Sequence, residues 1–260
     1  MLCRAPLSAP GPTVTTPQRV AVTGMGAVTA LGRGVTALAA GLRGGNSGVC
    51  ASRPDDSAQK VWAPLPELNF LQAIAQLELD TVVQKRLHAL GHRATPGLRS
   101  ALLAAAEAWK QADCEGRDGS EIGLIVAGNN LGNDQVLECS EQRRAGRQVR
   151  PGYAVQCWDT DHVGAISEAL SIKGEGYTVG GASASSGIAL AQARRAILCG
   201  DVKTVLIVGP PTMLSSLELI GLSSIGALSR EDPASAPARV CRPFDVRAAG
   251  FVYGQAAAAM

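Results

Sequence analysis

Along this chain, short apolar runs alternate with longer stretches in which apolar residues recur every three or four positions, the pattern of buried strands interleaved with packed helices. The run RVAVTGMGAVT (residues 19–29) is rich in β-branched residues and closed by glycines, and predicts a buried strand that turns sharply. Residues 34–42 predict a helix stopped at Gly44-Gly45. Pro54, Pro64 and Pro66 interrupt residues 46–95, which read as a surface excursion carrying one or two helices, with helical spacing from Asn69 to Leu90. The alanine-rich LRSALLAAAEAWKQA (98–112), opened by Thr95-Pro96, predicts a packed helix.

Further along, EIGLIVA (121–127) predicts a strand that ends in a polar glycine loop over residues 128–133. A basic loop (142–150) follows, then a helix from Thr160-Asp161, with Thr or Asp as cap, to Leu170. A strand at Tyr177–Val179 leads into a helix over Ala184–Cys199 closed by Gly200, and VKTVLIV (202–208) predicts another buried strand. Strands alternating with helices place the chain in the α/β class, with a mostly parallel sheet covered on both faces. Residues 1–17, dominated by Pro, Ser and Thr, are expected to form a flexible leader, with one domain over 18–260. The closing residues 254–260 read as a strand cut short.

Composition narrows the function classes. With 46% hydrophobic and 18% charged residues the chain is globular, and because aromatics are only 3% its core must be built from Ala, Val, Leu and Ile at close approach. A net charge of +2, from 24 basic and 22 acidic residues, is too balanced for a protein devoted to a nucleic-acid backbone. The 7 cysteines are scattered without a CxxC pair, so neither a metal site nor a disulfide framework is expected, and they read as reduced thiols. No run is long and apolar enough for a membrane span, and the opening residues lack a signal-peptide core; a cytoplasmic protein is expected.

The sharpest chemical feature is YTVGGASASSGIAL (177–190), in which a strand passes through two glycines into a helix. That arrangement puts Ser183 at a helix N-terminus, where free N–H groups favour developing negative charge. Two readings stand side by side: an oxyanion-type site, or Ser183, Ser185 or Ser186 simply capping the helix. The spacing matches neither a GxSxG elbow nor a phosphate-binding GK[ST] loop. Gly24-Met25-Gly26 lacks the third glycine of a dinucleotide fingerprint, with Thr29 in its place. His88 and His92 lie four apart without a glutamate partner and read as helix surface, while His162 reads as a neighbour of a helix cap. Arg143, Arg144, Arg147 and Arg150 form a basic stretch that fits a solvated surface or charge steering toward an acidic partner.

Taken together, VAVTGMGAVTALG (20–32), VGGASAS (179–185), CRPFD (241–245) and GFVYG (250–254) resemble the N-terminal half of β-ketoacyl synthases. The resemblance implies a thiolase-like fold and a homodimer or a ketosynthase-like heterodimer. It also implies that Ser183 stands where condensing members carry the acyl-accepting cysteine. GNNL (128–131), DTD (159–161), GEGYTVGGASAS (174–185) and YGQA (253–256) resemble a narrower group, the serine-for-cysteine malonyl-ACP decarboxylases of polyketide β-branching.

That likeness implies Ser183 as the catalytic residue, with Gly181, Ala182 and Ala184 against the substrate. No cofactor is implied, the substrate riding on the phosphopantetheine arm of an acyl carrier protein. Two other outcomes fit the lost thiol: a non-catalytic chain-length-factor-like partner, or a β-ketoacyl-ACP synthase or acyltransferase that uses Ser183. The family's histidine and lysine motifs are expected beyond residue 260, so the chain is read as truncated at its C-terminal end.

Overall fold

An alanine-rich helix lies at the centre of the structure. The computed structural model describes residues 19–52, 59–232 and 236–260; the leader expected over 1–17 lies outside them. In chain order the elements are β1 (Gly26–Thr29), β2 (Gly32–Arg33), α1 (Val35–Arg43), β3 (Cys50–Ala51), β4 (Val61–Ala63), α2 (Phe70–Ala75), α3 (Thr81–Arg93) and α4 (Pro96–Gln111). Then come β5 (Ile122–Ala127), α5 (Asn133–Arg144), α6 (Tyr153–Gln156), α7 (Thr160–Leu170), β6 (Gly176–Val179) and α8 (Ser185–Cys199). The chain closes with β7 (Thr204–Gly209), α9 (Ser216–Ser224), β8 (Tyr253–Gly254) and β9 (Ala256–Ala259).

The main sheet has the order β2-β1-β9-β7-β5-β6, and β3-β4-β8 form a small second sheet. In the main sheet β5 pairs parallel with β6 and β7, whereas β9 is antiparallel to both β7 and β1, and β1 to β2; in the small sheet β4 and β8 pair parallel. The main sheet is therefore mixed, with parallel pairing confined to one half. β9 follows β8 with Gln255 alone between them, so one short link joins the two sheets.

Strand alternation sorts the core into two layers. Ile122, Leu124 and Val126 of β5 join a large cluster with α2, α3, α4 and α7, whereas Ile125 and Ala127 face Ala189 and Ala193 of α8. Among the described residues α8 covers the second face over β5, β6 and β7, while Ala256 and Ala258 of β9 are exposed. α4 starts as its sequence dictates, with the Thr95 hydroxyl accepting from Leu98 N–H and Pro96 in the first turn.

The small side chains of α4 let β1 approach its backbone. A β-carbon at Gly26 would lie 1.9 Å from the Ala104 carbonyl oxygen, and one at Gly24 would lie 2.2 Å from that of Ala108. Glu107 of the same helix accepts from Ala27 N–H at 3.0 Å and Val35 N–H at 2.9 Å, fastening β1 and α1 to α4.

Three expectations are corrected. The strand expected from Arg19 begins at Gly26, with Val20 and Val22 exposed ahead of it. Residues 46–95 are not a surface excursion: Phe70, Ile74, Leu87 and Leu90 of α2 and α3 are buried in the main core. Part of the basic loop is helix, since α5 runs to Arg144. We expect Gly26→Ala to destabilise the protein by about 3 kcal/mol or more, since its β-carbon meets rigid backbone. A urea midpoint lowered at unchanged m-value checks this.

Candidate functional site

Because β5, β6 and β7 are parallel, the loops that leave their carboxyl ends gather on one edge of the sheet. The loop after β6 is the one singled out by sequence. Gly180 and Gly181 are followed by a single 3-10 turn over Ala182–Ala184, and α8 starts only at Ser185. Ser183 thus precedes the α-helix by a turn instead of opening it, a shift forced by Ala182, which sits at φ 47, in the left-handed region costly for a residue with a β-carbon.

Ser185 holds that conformation. Its buried Oγ accepts from Gly181 N–H at 2.9 Å and donates to the Ala182 carbonyl at 2.7 Å. The capping reading fails, since no side chain caps α8. Ser183 is exposed, and among the described residues its hydroxyl has no partner; Ala182 and Ala184 flank it, also exposed, and Gly181 is half-buried. Close approach explains both glycines: a β-carbon at Gly181 would meet Ile188 Cδ1 at 2.5 Å, and one at Gly180 would meet Asn129 Cβ at 3.0 Å.

The loop after β5 is fixed from a different element. Asn130 turns at φ 59, and the N–H groups of Asn130 and Leu131 donate to the Asp159 carboxylate at 3.0 and 2.7 Å. Asp159, and neither Thr160 nor Asp161, occupies the cap position of α7, and its carboxylate reaches the loop instead of its own helix. The loop after β7 is held by the Tyr253 hydroxyl, which donates to the Thr212 carbonyl at 2.7 Å and accepts from Leu214 N–H at 3.1 Å. Glu218 completes a capping box with Ser215 and accepts from Asn133 Nδ2 at 2.8 Å, joining α9 to α5.

With this arrangement in view, the family model described as Beta-ketoacyl synthase, N-terminal domain, matches residues 17–260. The chain belongs to the β-ketoacyl synthase family. It is 33% identical over 244 residues to the polyketide biosynthesis malonyl-ACP decarboxylase PksF of Bacillus subtilis strain 168, an alignment covering 93% of this chain and 56% of PksF. A β-ketoacyl synthase from Burkholderia phymatum STM815 shares the fold with a TM-score of 0.72 at 21% identity, over 92% of this chain and 58% of that one. The ishigamide ketosynthase/chain length factor gives 0.68 at 21%, over 92% and 57%. The chain therefore spans a little over half the length of these relatives, and the thiolase-like ketosynthase fold is shown.

Within this ketosynthase half the other sequence candidates separate. His88 and His92 are exposed on α3, and Arg143 and Arg144 are exposed at the end of α5, as solvated surface. Arg150 is engaged with the Gln135 side chain. A groove of about 850 Å³ between residues 19–23, α8 and β7 does not include Ser183 in its wall. Among the described residues no helix is long and apolar enough to cross a membrane. Sequence reasoning missed Asp159, Ser185 and Tyr253 as organisers of the site; the readable signals were an acid beside a helix start and the Ser215/Glu218 box.

His162, in the first turn of α7, is 4% exposed, and its Nδ1 has no hydrogen-bond partner among the described residues. Burial pushes its pKa down to about 4, partly offset by the Asp159 carboxylate. The unfolded chain takes up this proton near pH 6.5 and the native one near 4, so stability is full above the first value and falls as pH drops toward the second. Burial raises Asp161 and Asp134, which act with the opposite sign in the same acid range. Comparing variant with wild type at each pH cancels their contribution. We expect His162→Leu to lose roughly 3 kcal/mol less than wild type between pH 7 and 4, read from denaturation midpoints.

Proposed function

We propose that the protein is a ketosynthase-like decarboxylase that converts malonyl-ACP to acetyl-ACP and carbon dioxide in polyketide β-branching. The observation that carries this reading is the exposed hydroxyl of Ser183 on its glycine elbow, without a partner among the described residues, at the position where the family resemblance implies a cysteine thiol in condensing members. The similarity to PksF supports it. A thiol with a pKa of about 8.5 becomes a nucleophile with modest help, whereas a serine hydroxyl lies far above it. A helix terminus contributes at most about 2 kcal/mol and leaves the hydroxyl protonated, so the acyl chain is not parked on Ser183.

Decarboxylation needs no nucleophile. The bond between the α-carbon and the carboxylate breaks, its electron pair moves into the thioester as an enolate, carbon dioxide leaves, and a proton from water returns to carbon. A neutral hydroxyl is the right donor for the enolate oxygen, because its hydrogen bond strengthens as charge develops there. Gly181, Ala182 and Ala184, with small or absent side chains, leave room for the thioester beside Ser183. No cofactor enters this chemistry; the substrate arrives on a phosphopantetheine arm, which makes an acyl carrier protein the first partner. β6, at the edge of the main sheet, offers an unpaired ladder to a second ketosynthase-like chain, as homodimer or heterodimer. A cytoplasmic setting belongs to the same proposal.

The likeness in fold to a ketosynthase/chain length factor favours one alternative, a non-catalytic partner that shapes the pocket of a cysteine-bearing ketosynthase. The intact protein, incubated alone with malonyl-ACP, is expected to yield acetyl-ACP by intact-mass analysis without a condensed product. Unchanged malonyl-ACP, together with co-purification of a ketosynthase, decides for the alternative; a stable acyl mass on Ser183 decides for an acyltransferase. Ser183→Ala should slow carbon dioxide release about tenfold or more, the loss of one hydrogen bond made in the transition state. Ser183→Cys should become labelled by iodoacetamide without gaining condensation. Absence of labelling there removes Ser183 from the pocket.

A further inference from the structure

We propose that Asn129 is the residue that selects the substrate's free carboxylate, and that Asp159 positions it. The inference rests on the decarboxylase reading and adds the acid-recognising contact to it. Asn129 leaves the end of β5 on the same edge as Ser183, and its side chain lies over the α-carbon of Gly180, three residues before the serine. A β-carbon at Gly180 would lie 3.0 Å from Asn129 Cβ and 3.5 Å from both its Cγ and Oδ1, so glycine is what lets the carboxamide reach across the elbow. That carboxamide is exposed and has no partner among the described residues, leaving its N–H donors and its oxygen free.

The carboxamide is held in place from behind. Asn130 is at φ 59, and both its N–H and that of Leu131 donate to the two oxygens of Asp159, so a single carboxylate fixes the turn that carries Asn129. These two charge-assisted bonds engage both carboxylate oxygens with backbone donors. A carboxamide can hold one oxygen of a malonyl carboxylate through its NH₂ group.

The two loops, residues 128–133 and 180–186, contain no Lys or Arg, so within them a carboxylate meets neutral donors. An ion pair would stabilise the carboxylate in the bound ground state and oppose loss of carbon dioxide, whereas one neutral hydrogen bond recognises it without holding its charge. Acetyl and longer acyl groups lack the acid and gain nothing from the contact.

Binding, kept separate from turnover, tests this. The probes are pantetheine amides in which nitrogen replaces the thioester sulfur, carrying malonyl, acetyl or butyryl groups, titrated into the intact protein by calorimetry. Wild type is expected to prefer malonyl over acetyl. Asn129→Asp, nearly the same size but anionic, should reduce that preference about tenfold or more while acetyl and butyryl binding stay within about twofold. Asn129→Leu should act in the same direction. Asp159→Asn, which keeps the size but weakens the hold on the turn, should give an intermediate loss confined to the malonyl probe.

A preference that survives Asn129→Asp, or equal loss of all three probes, overturns the assignment, as does a wild type indifferent to the carboxylate. Decarboxylation of malonyl-ACP by wild type is scored separately. Its absence overturns the activity, while the probe series still decides on Asn129.

Discussion

The structure depends on how closely β1 can approach α4. A sheet strand lies against a helix at backbone distance, and that is possible only because Gly24 and Gly26 face the Ala104 and Ala108 carbonyls, with no side chain on the strand at the contact. Glu107 locks the arrangement by accepting from one N–H of β1 and one beside α1. With β1 set, β9 and β7 follow by register, and β5 and β6 are carried outward so that their carboxyl ends open on one edge. The scarcity of aromatic residues follows from the same contact, since a bulky side chain between these layers would push them apart.

The site is built by elements that contribute no reacting group. Ser185 bridges the two ends of the turn before it, Asp159 reaches from the start of α7 to the loop of β5, and Tyr253 fixes the loop of β7 from the strand next to β9. Each uses a side chain to satisfy backbone groups that the sheet edge leaves unpaired. The outcome is three short loops without regular ladders that are nevertheless determined, with Ser183 projecting from the middle one.

Much of this was legible in the residues, for reasons that can be named. α4 announced itself through Thr95-Pro96 and its alanine spacing, α8 through the Gly200 stop, and β5 through an unbroken apolar run buried on both faces. The family motifs placed Ser183 at the end of β6 before any geometry did. The beginning of β1 was overread because Val20 and Val22 look like strand, yet both are exposed and β1 starts at Gly26. α5 was missed because its polar sequence has no apolar period, and α9 because apolar residues surround it without one clear face. Asp159 was equally hidden: sequence places an acid near a helix start, but not that its carboxylate turns to another loop.

One feature of the topology ties assembly to chemistry. β6 is the outermost strand of the main sheet, and its last residue, Val179, is followed immediately by the two glycines of the elbow. Any strand recruited to that edge would run alongside the stem from which Ser183 projects. On the proposed function, a partner seated at this margin and the substrate held at the serine would lie on one stem, a few residues apart.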